Sequence, residues 1–342
     1  MEFDIRTDKP EVSVSVITYN NGPYIRECLD SILAQETDFP YEICLGEDGS
    51  TDGTREICIQ YAKEYPGKIR LFLRTQQDAG RERFRSQGVY NYIETTRECS
   101  GKYVAFCDGD DAWICKHKLQ KQVDLMKADP GISLVHSDFD KSNEVTGKQI
   151  HGFNAKRGIK PCVEQEEDRI IIDLLLCRYA IAASSVMART SDVLDIFNTN
   201  EELFLSYPMG DTQTWCELLR RGRFHYMDDA LALYRITRES TSNSLSALRK
   251  FEFVNKTADL GLKLIGRYNL PNRELIAYKV KNSNRYAMLS GNIHELEKLY
   301  AAHQSAFEGI EKLLFRINRS ALFRPVIATL FQLRYLRNHL RL

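Results

Sequence analysis

The residues best equipped for chemistry are Asp108-Gly109-Asp110-Asp111, which directly follow the apolar run Tyr103-Val104-Ala105-Phe106-Cys107. Carboxylates at the end of a buried strand are costly unless something cationic meets them. A hard divalent ion, Mg²⁺ or Mn²⁺, takes oxygen ligands and is commonly held by one or two carboxylates together with substrate phosphates. The carboxyl edge of an open α/β sheet is also where ligands bind. The tetrapeptide therefore points to a metal–diphosphate site, although a polar turn leaving a strand draws on the same residue types.

A second acidic turn, Glu47-Asp48-Gly49-Ser50-Thr51-Asp52-Gly53-Thr54, follows Tyr41–Leu45. A carboxylate at this strand end can accept a hydrogen bond from a base edge such as the imide N–H of a uracil. Ser50 or Thr51 is expected to cap the next helix. A third strand end, Thr18-Tyr19-Asn20, offers a ring to pack on a base, with two polar side chains beside it.

These turns need strands to carry them. Val12–Thr18 is rich in β-branched residues and bounded by Pro10 and by Asn20-Asn21-Gly22-Pro23, which predicts a strand and then a helix starting near Pro23. Ile25, Cys28, Leu29, Ile32 and Leu33 follow at helical spacing. Further strands are predicted over Tyr41–Leu45, Ile69–Leu73, Lys102–Cys107 and Leu134–His136, with helices between them. Strands alternating with such helices predict a parallel, doubly wound α/β sheet. Lys141–Arg169 reads as a surface excursion, and Asp168–Leu176, Ser184–Ala188 and Asp211–Arg220 as helix, strand and helix. Beyond about Ser240 the pattern is all-helical. Residues 313–342 hold six arginines and no acid, with leucine, phenylalanine and valine interleaved.

Forty-seven Lys and Arg balance forty-seven Asp and Glu, so the charge does not suggest a nucleic-acid partner. The nine cysteines show no metal-finger spacing, and Cys28, Cys44, Cys58, Cys107 and Cys177 sit in apolar stretches, so buried reduced thiols are expected. No run approaches the roughly 18 apolar residues that a spanning helix needs. The start is not a signal peptide, and a cytoplasmic protein is expected, with peripheral contact on the inner face of the cell membrane.

Together the three strand ends resemble the inverting family 2 glycosyltransferases of GT-A fold, over about Val12 to Ser242. Val14–Asn20, Leu29–Gln35, Glu47–Thr54 and Gly101–Trp113 are similar to the family's opening strand, first helix, nucleoside-binding turn and DxD strand, and Lys118–Gln122 continues as in relatives that build bacterial capsule and lipopolysaccharide. The resemblance implies that Thr18, Tyr19, Asn20 and Asp48 hold the nucleoside. Asp108 would reach the ribose or the metal, and Asp110 would ligate Mn²⁺ or Mg²⁺ on the diphosphate. Met209-Gly210-Asp211-Thr212 is similar to the family's base motif, which makes Asp211 the candidate general base, with inversion at the anomeric carbon. Two departures stand out. Gly210 replaces an acid, and Thr237 stands where a histidine is often found, so Arg235 and Arg238 are expected to take some of the phosphate charge.

The expected organisation is a GT-A domain over 1–242, with a nucleotide-sugar half to about 140 and an acceptor half over 141–242. A helical region over 243–342 follows. The expected partners are a nucleotide-sugar donor, UDP-linked, and a glycan or lipid-linked saccharide acceptor. Residues 313–342 are expected to touch the membrane surface, no nucleic acid is expected, and an oligomer is compatible. The rival readings are a non-catalytic nucleotide-sugar or glycan-binding protein that kept the fold, and a nucleotidyltransferase. The latter should carry a Gly-rich basic loop where this chain has Tyr19-Asn20-Asn21-Gly22-Pro23.

Overall fold

The computed structural model describes residues 9–158, 166–237 and 246–340, with 335–340 by backbone alone. It divides into two compact units, one of Met1–Ser142, Gln149–Ile171 and Tyr179–Arg235, the other of Asn143–Lys148, Ile172–Arg178 and Ile236–Leu342.

The first unit is built on a sheet of nine strands among the described residues: β1 (Val12–Thr18), β2 (Tyr41–Glu47), β3 (Ile69–Leu73), β4 (Tyr103–Asp108), β5 (Ala112–Trp113), β6 (Ile132–Asn143), β7 (Lys148–Ile150), β8 (Val186–Arg189) and β9 (Arg223–Ile236). Their order is β3-β2-β1-β4-β8-β6-β9-β5, with β7 paired to β6. The first four strands are parallel. Beyond β4 the sheet is mixed: β8 runs antiparallel to both β4 and β6, which leaves β6 in the direction of β4, and β5 runs antiparallel to β9. The chain's connections set a strand's direction, and its residue pattern carries little of that information.

The alternation in β1 reflects two buried faces. Val12, Val14 and Val16 join the core beneath the helix Ile25–Leu33, which contributes Ile25, Cys28, Leu29 and Ile32. Ser13 and Ser15 point the other way and are buried too. The Ser13 hydroxyl donates to Glu42 Oε1 at 2.7 Å, and the Ser15 hydroxyl meets that of Thr96, from the helix Gln87–Arg97, at 3.1 Å. Small polar side chains with assigned partners let that helix lie close on the sheet.

Residues 141–169 are more structured than expected. β6 continues to Asn143, β7 and the short helix Phe153–Lys156 follow, and a helix begins at Glu167. The second unit packs the helices Ala247–Arg267, Arg273–Ser290, His294–Ala302, Gly309–Arg319 and Phe323–Leu340. Its core includes Ile276, Val280, Leu296, Leu299, Phe307 and Phe315, with Tyr300 and Phe315 stacked at 4.1 Å. Among the described residues no helix is long and apolar enough to cross a membrane.

Candidate active site

Parallel register brings the three motif ends together. Thr18 lies opposite Glu47 and Ile17 opposite Asp108, so the carboxyl ends of β2, β1 and β4 stand side by side. The turns after them are tied to one another. Asn20 sits at a φ of 52°, where asparagine is tolerated, and its Oδ1 accepts from the Thr51 N–H at 3.0 Å while its own N–H donates to Ser50 Oγ at 2.9 Å. Asp52 Oδ2 accepts from the Gly22 N–H at 2.8 Å, and Asp52 Oδ1 from the Thr54 N–H at 3.1 Å. Neither Ser50 nor Thr51 caps the helix that follows: its N-cap position is Gly53, and Asp52 takes the Thr54 N–H, while Ser50 and Thr51 bond to the Asn20 loop. Thr18 is buried and gives its hydroxyl to Asn21 Oδ1 at 2.9 Å, whereas Tyr19 is 53% exposed at the mouth of the site.

Asp48 is buried and gripped by a residue the sequence reading missed. Arg81 Nη1 and Nη2 lie 2.5 and 3.0 Å from its two carboxylate oxygens, and both side chains are out of solvent. Burial raises the Asp48 carboxyl above its usual range, with Arg81 pulling it back down. The Arg81 guanidinium stands 5.2 Å from the centre of the Tyr90 ring. Arg81 lies in a polar, Arg-rich stretch, and nothing in its spacing separates it from Arg83 or Arg85.

The acidic turn after β4 is held from three sides. The Gly109 N–H donates to the Ile17 carbonyl at 2.8 Å. A Cβ at position 109 would lie 2.5 Å from Thr18 Oγ1, so this close approach admits only glycine between the two aspartates. Pairing of β5 with β9 brings in Arg235, whose N–H donates to Asp111 Oδ1 at 2.8 Å and whose Nη1 donates to the Asp110 carbonyl at 3.0 Å. Arg235 Nη2 pairs with Glu27 at 2.6 Å. Asp111 is buried, and burial holds its carboxyl well above the ordinary range. Asp108 and Asp110 stay partly open. Burial, followed by the charges of Asp110 and Asp211, pushes Asp108 up to about 7, and burial pushes Asp110 up to about 6 against the pull of Arg235.

The repulsion felt by Asp108 puts Asp211 in the same cluster. Asp211 opens the helix Asp211–Leu219 and accepts from the Thr212 N–H at 2.7 Å. Burial raises its carboxyl as well. Gly210 is explained by its neighbour, because a Cβ there would lie 2.7 Å from the Tyr92 ring. Any acid at this position would collide with that ring.

Asn91 is buried, donates to the Gly46 carbonyl at 2.9 Å and accepts from Arg74 Nε at 2.9 Å. Trp113 is a core residue whose Nε1 donates to the Ser184 carbonyl at 2.9 Å. Thr237 is buried, and Arg238 lies outside the described residues. Cys177 is exposed, against expectation, while Cys28, Cys44, Cys58 and Cys107 are buried free thiols.

The family model described as "Glycosyl transferase family 2" matches residues 13–180. The putative teichuronic acid biosynthesis glycosyltransferase TuaG of Bacillus subtilis is 30% identical over 254 residues, 72% of this chain and 87% of TuaG. The chain belongs to glycosyltransferase family 2. An uncharacterized protein of Mycobacterium tuberculosis is 32% identical to this glycosyltransferase-family chain over 190 residues, 55% of the chain and 50% of that protein. The chain therefore spans about half the length of its mycobacterial relatives. In fold it is similar to S. aureus TarS in complex with UDP-GlcNAc, with TM-score 0.52 and 18% identity over 96% of this chain and 89% of that one. It is also similar to the mannosyltransferase PcManGT of Pyrobaculum calidifontis in complex with GDP-Man and Mn²⁺, with TM-score 0.50 and 16% identity over 96% and 88% of the two chains. The family 2 chain has the GT-A fold, with a helical region after it.

Among the described residues no group of three or more His, Cys, Asp or Glu is arranged to hold a metal ion. What the family 2 chain offers at β4 is a pair of carboxylates, Asp108 and Asp110, both pushed up by burial. Such a pair fits an oxygen-loving divalent ion whose remaining ligands come from phosphates and water.

Proposed function

We propose that the protein is an inverting glycosyltransferase that moves a sugar from a nucleotide sugar, UDP-linked, to a hydroxyl of a glycan or a lipid-linked saccharide. The observation that carries this reading is the clustering of Asp108, Asp110 and Asp211 beside the β1 and β2 ends, with each carboxyl raised. Asp48 and Arg81 together offer an acceptor beside a donor. Uracil presents a complement, an N–H next to a carbonyl. Tyr19 supplies an exposed ring for the base, and the Asn20–Thr51 ties keep that ring's loop in place.

Asp108 and Asp110 would hold Mn²⁺ or Mg²⁺ at the diphosphate, where the ion supplies positive charge to the leaving group. Asp211 acts as general base toward the acceptor hydroxyl. A carboxylate raised by burial is a stronger base than an exposed one, and it takes the proton as the hydroxyl becomes acidic in the transition state. One base opposite one leaving group gives a single displacement with inversion. Arg235 contributes by fixing the acidic turn.

The experiment is nucleotide release and binding with UDP-, GDP- and dTDP-sugars, with and without Mn²⁺. Asp211→Asn should lower turnover by at least about a hundredfold with little change in donor affinity. Asp110→Ala should remove the metal-dependent part of donor binding. A folded protein that binds none of these donors would sink the reading.

A further inference from the structure

In the second unit the helix Phe323–Leu340 leaves an apolar stripe uncovered. Phe323, Val326, Leu330 and Leu333 recur at steps of three, four and three residues, which aligns them along one side of the helix. Each is more than half exposed, Leu330 at 57% and Leu333 at 59%. The preceding helix buries Leu314 and Phe315. A stripe of this size on a protein surface marks something that covers it.

Charge identifies what that is. Residues 313–342 carry six arginines and no acid. Arg319 pairs with Glu297 at 3.2 Å and Arg324 donates to the Gly291 carbonyl at 3.1 Å. Arg316 and Arg334 are exposed and meet no carboxylate among the described residues. A second copy of the chain docked stripe to stripe would set arginine against arginine, with no acid within residues 313–342 to offset the repulsion. A nucleic acid would use the arginines but leave the leucines in water. A bilayer with anionic headgroups satisfies both features, taking the apolar stripe into its boundary region and the arginines at its charged surface.

We propose that the Phe323–Leu333 stripe docks this protein in plane on an anionic phospholipid surface. The test is co-flotation of the full chain with phosphatidylcholine vesicles, with and without phosphatidylglycerol, at low and high salt. Binding should need phosphatidylglycerol and weaken with salt. Leu330→Glu/Leu333→Glu should weaken it by at least about tenfold. Arg316→Gln and Arg334→Gln should each weaken it by about fivefold. All four side chains are exposed, so the variants should keep the wild-type circular dichroism and melting curve, and light scattering should show an unchanged oligomeric state. Binding that is equal on neutral vesicles, or indifferent to the leucine variant, overturns the proposal. Dissociation of an oligomer by the leucine variant also overturns it, and makes the stripe a contact between copies.

Discussion

Position 48 shows how a residue's partner changes its chemistry. An isolated Asp48 would be a bare buried carboxylate; held by Arg81 its charge is compensated. Removing one member of a buried pair leaves the other's charge uncompensated, which typically costs about 3–5 kcal/mol. Arg81→Ala should therefore lower the unfolding free energy in urea by about 3 kcal/mol and weaken UDP binding by more than about tenfold. The double variant Asp48→Asn/Arg81→Met should recover much of the stability without recovering UDP affinity. Recovery of both would mean that the pair is a structural bridge with no part in recognition.

At the scale of elements, β9 and the first helix act on the acidic turn through one residue, by its backbone N–H and its guanidinium. Arg235 joins the Asp110 carbonyl, the Asp111 carboxylate and Glu27, and the Tyr24 ring lies 5.6 Å from its guanidinium. Supporting groups of this kind tune metal affinity by about 10–100-fold. Arg235→Gln is expected to weaken Mn²⁺-dependent UDP binding by about tenfold in calorimetry while uridine binding stays the same. Glu27→Gln, which leaves the Arg235 side-chain bond to the Asp110 carbonyl in place, should do less. If Arg235 instead meets the phosphates directly, UDP affinity would fall equally with and without Mn²⁺.

Across the whole molecule, the largest core oddity is Lys118, fully buried with its ammonium 2.8 Å from Gln122 Oε1 and 4.3 Å from the centre of the Trp113 ring. Burial lowers its pKa to about 7, well below the unfolded value. Between about pH 7 and 10 the unfolded chain therefore binds the proton that the folded chain has lost, so this residue's contribution to stability rises with pH. Relative to wild type, Lys118→Met should hold its largest advantage at and below about pH 7 and lose on the order of 3 kcal/mol of it by pH 10. Parallel urea unfolding curves would check it, and a constant difference would show that the amine keeps its proton in the core.

Local pattern determined a good deal of this protein. The β-branched run of β1, the helical spacing from Ile25 to Ile32 and the acid-rich turns after β2 and β4 are short-range signals, written in consecutive residues. Once those strands lie parallel, their carboxyl ends must meet, so the juxtaposition of the two acidic turns was legible before any fold was seen. Tertiary structure decided what depends on residues far apart in the chain. Arg81 reaches Asp48 across 33 positions and Arg235 reaches Asp110 across 125, and no local pattern names either pairing. The antiparallel turn of the sheet after β4, the burial that raises Asp108, Asp110 and Asp211, and the close approach of Gly210 to Tyr92 belong to the same class. Each is a matter of distance and dielectric, and those exist only once the chain has folded.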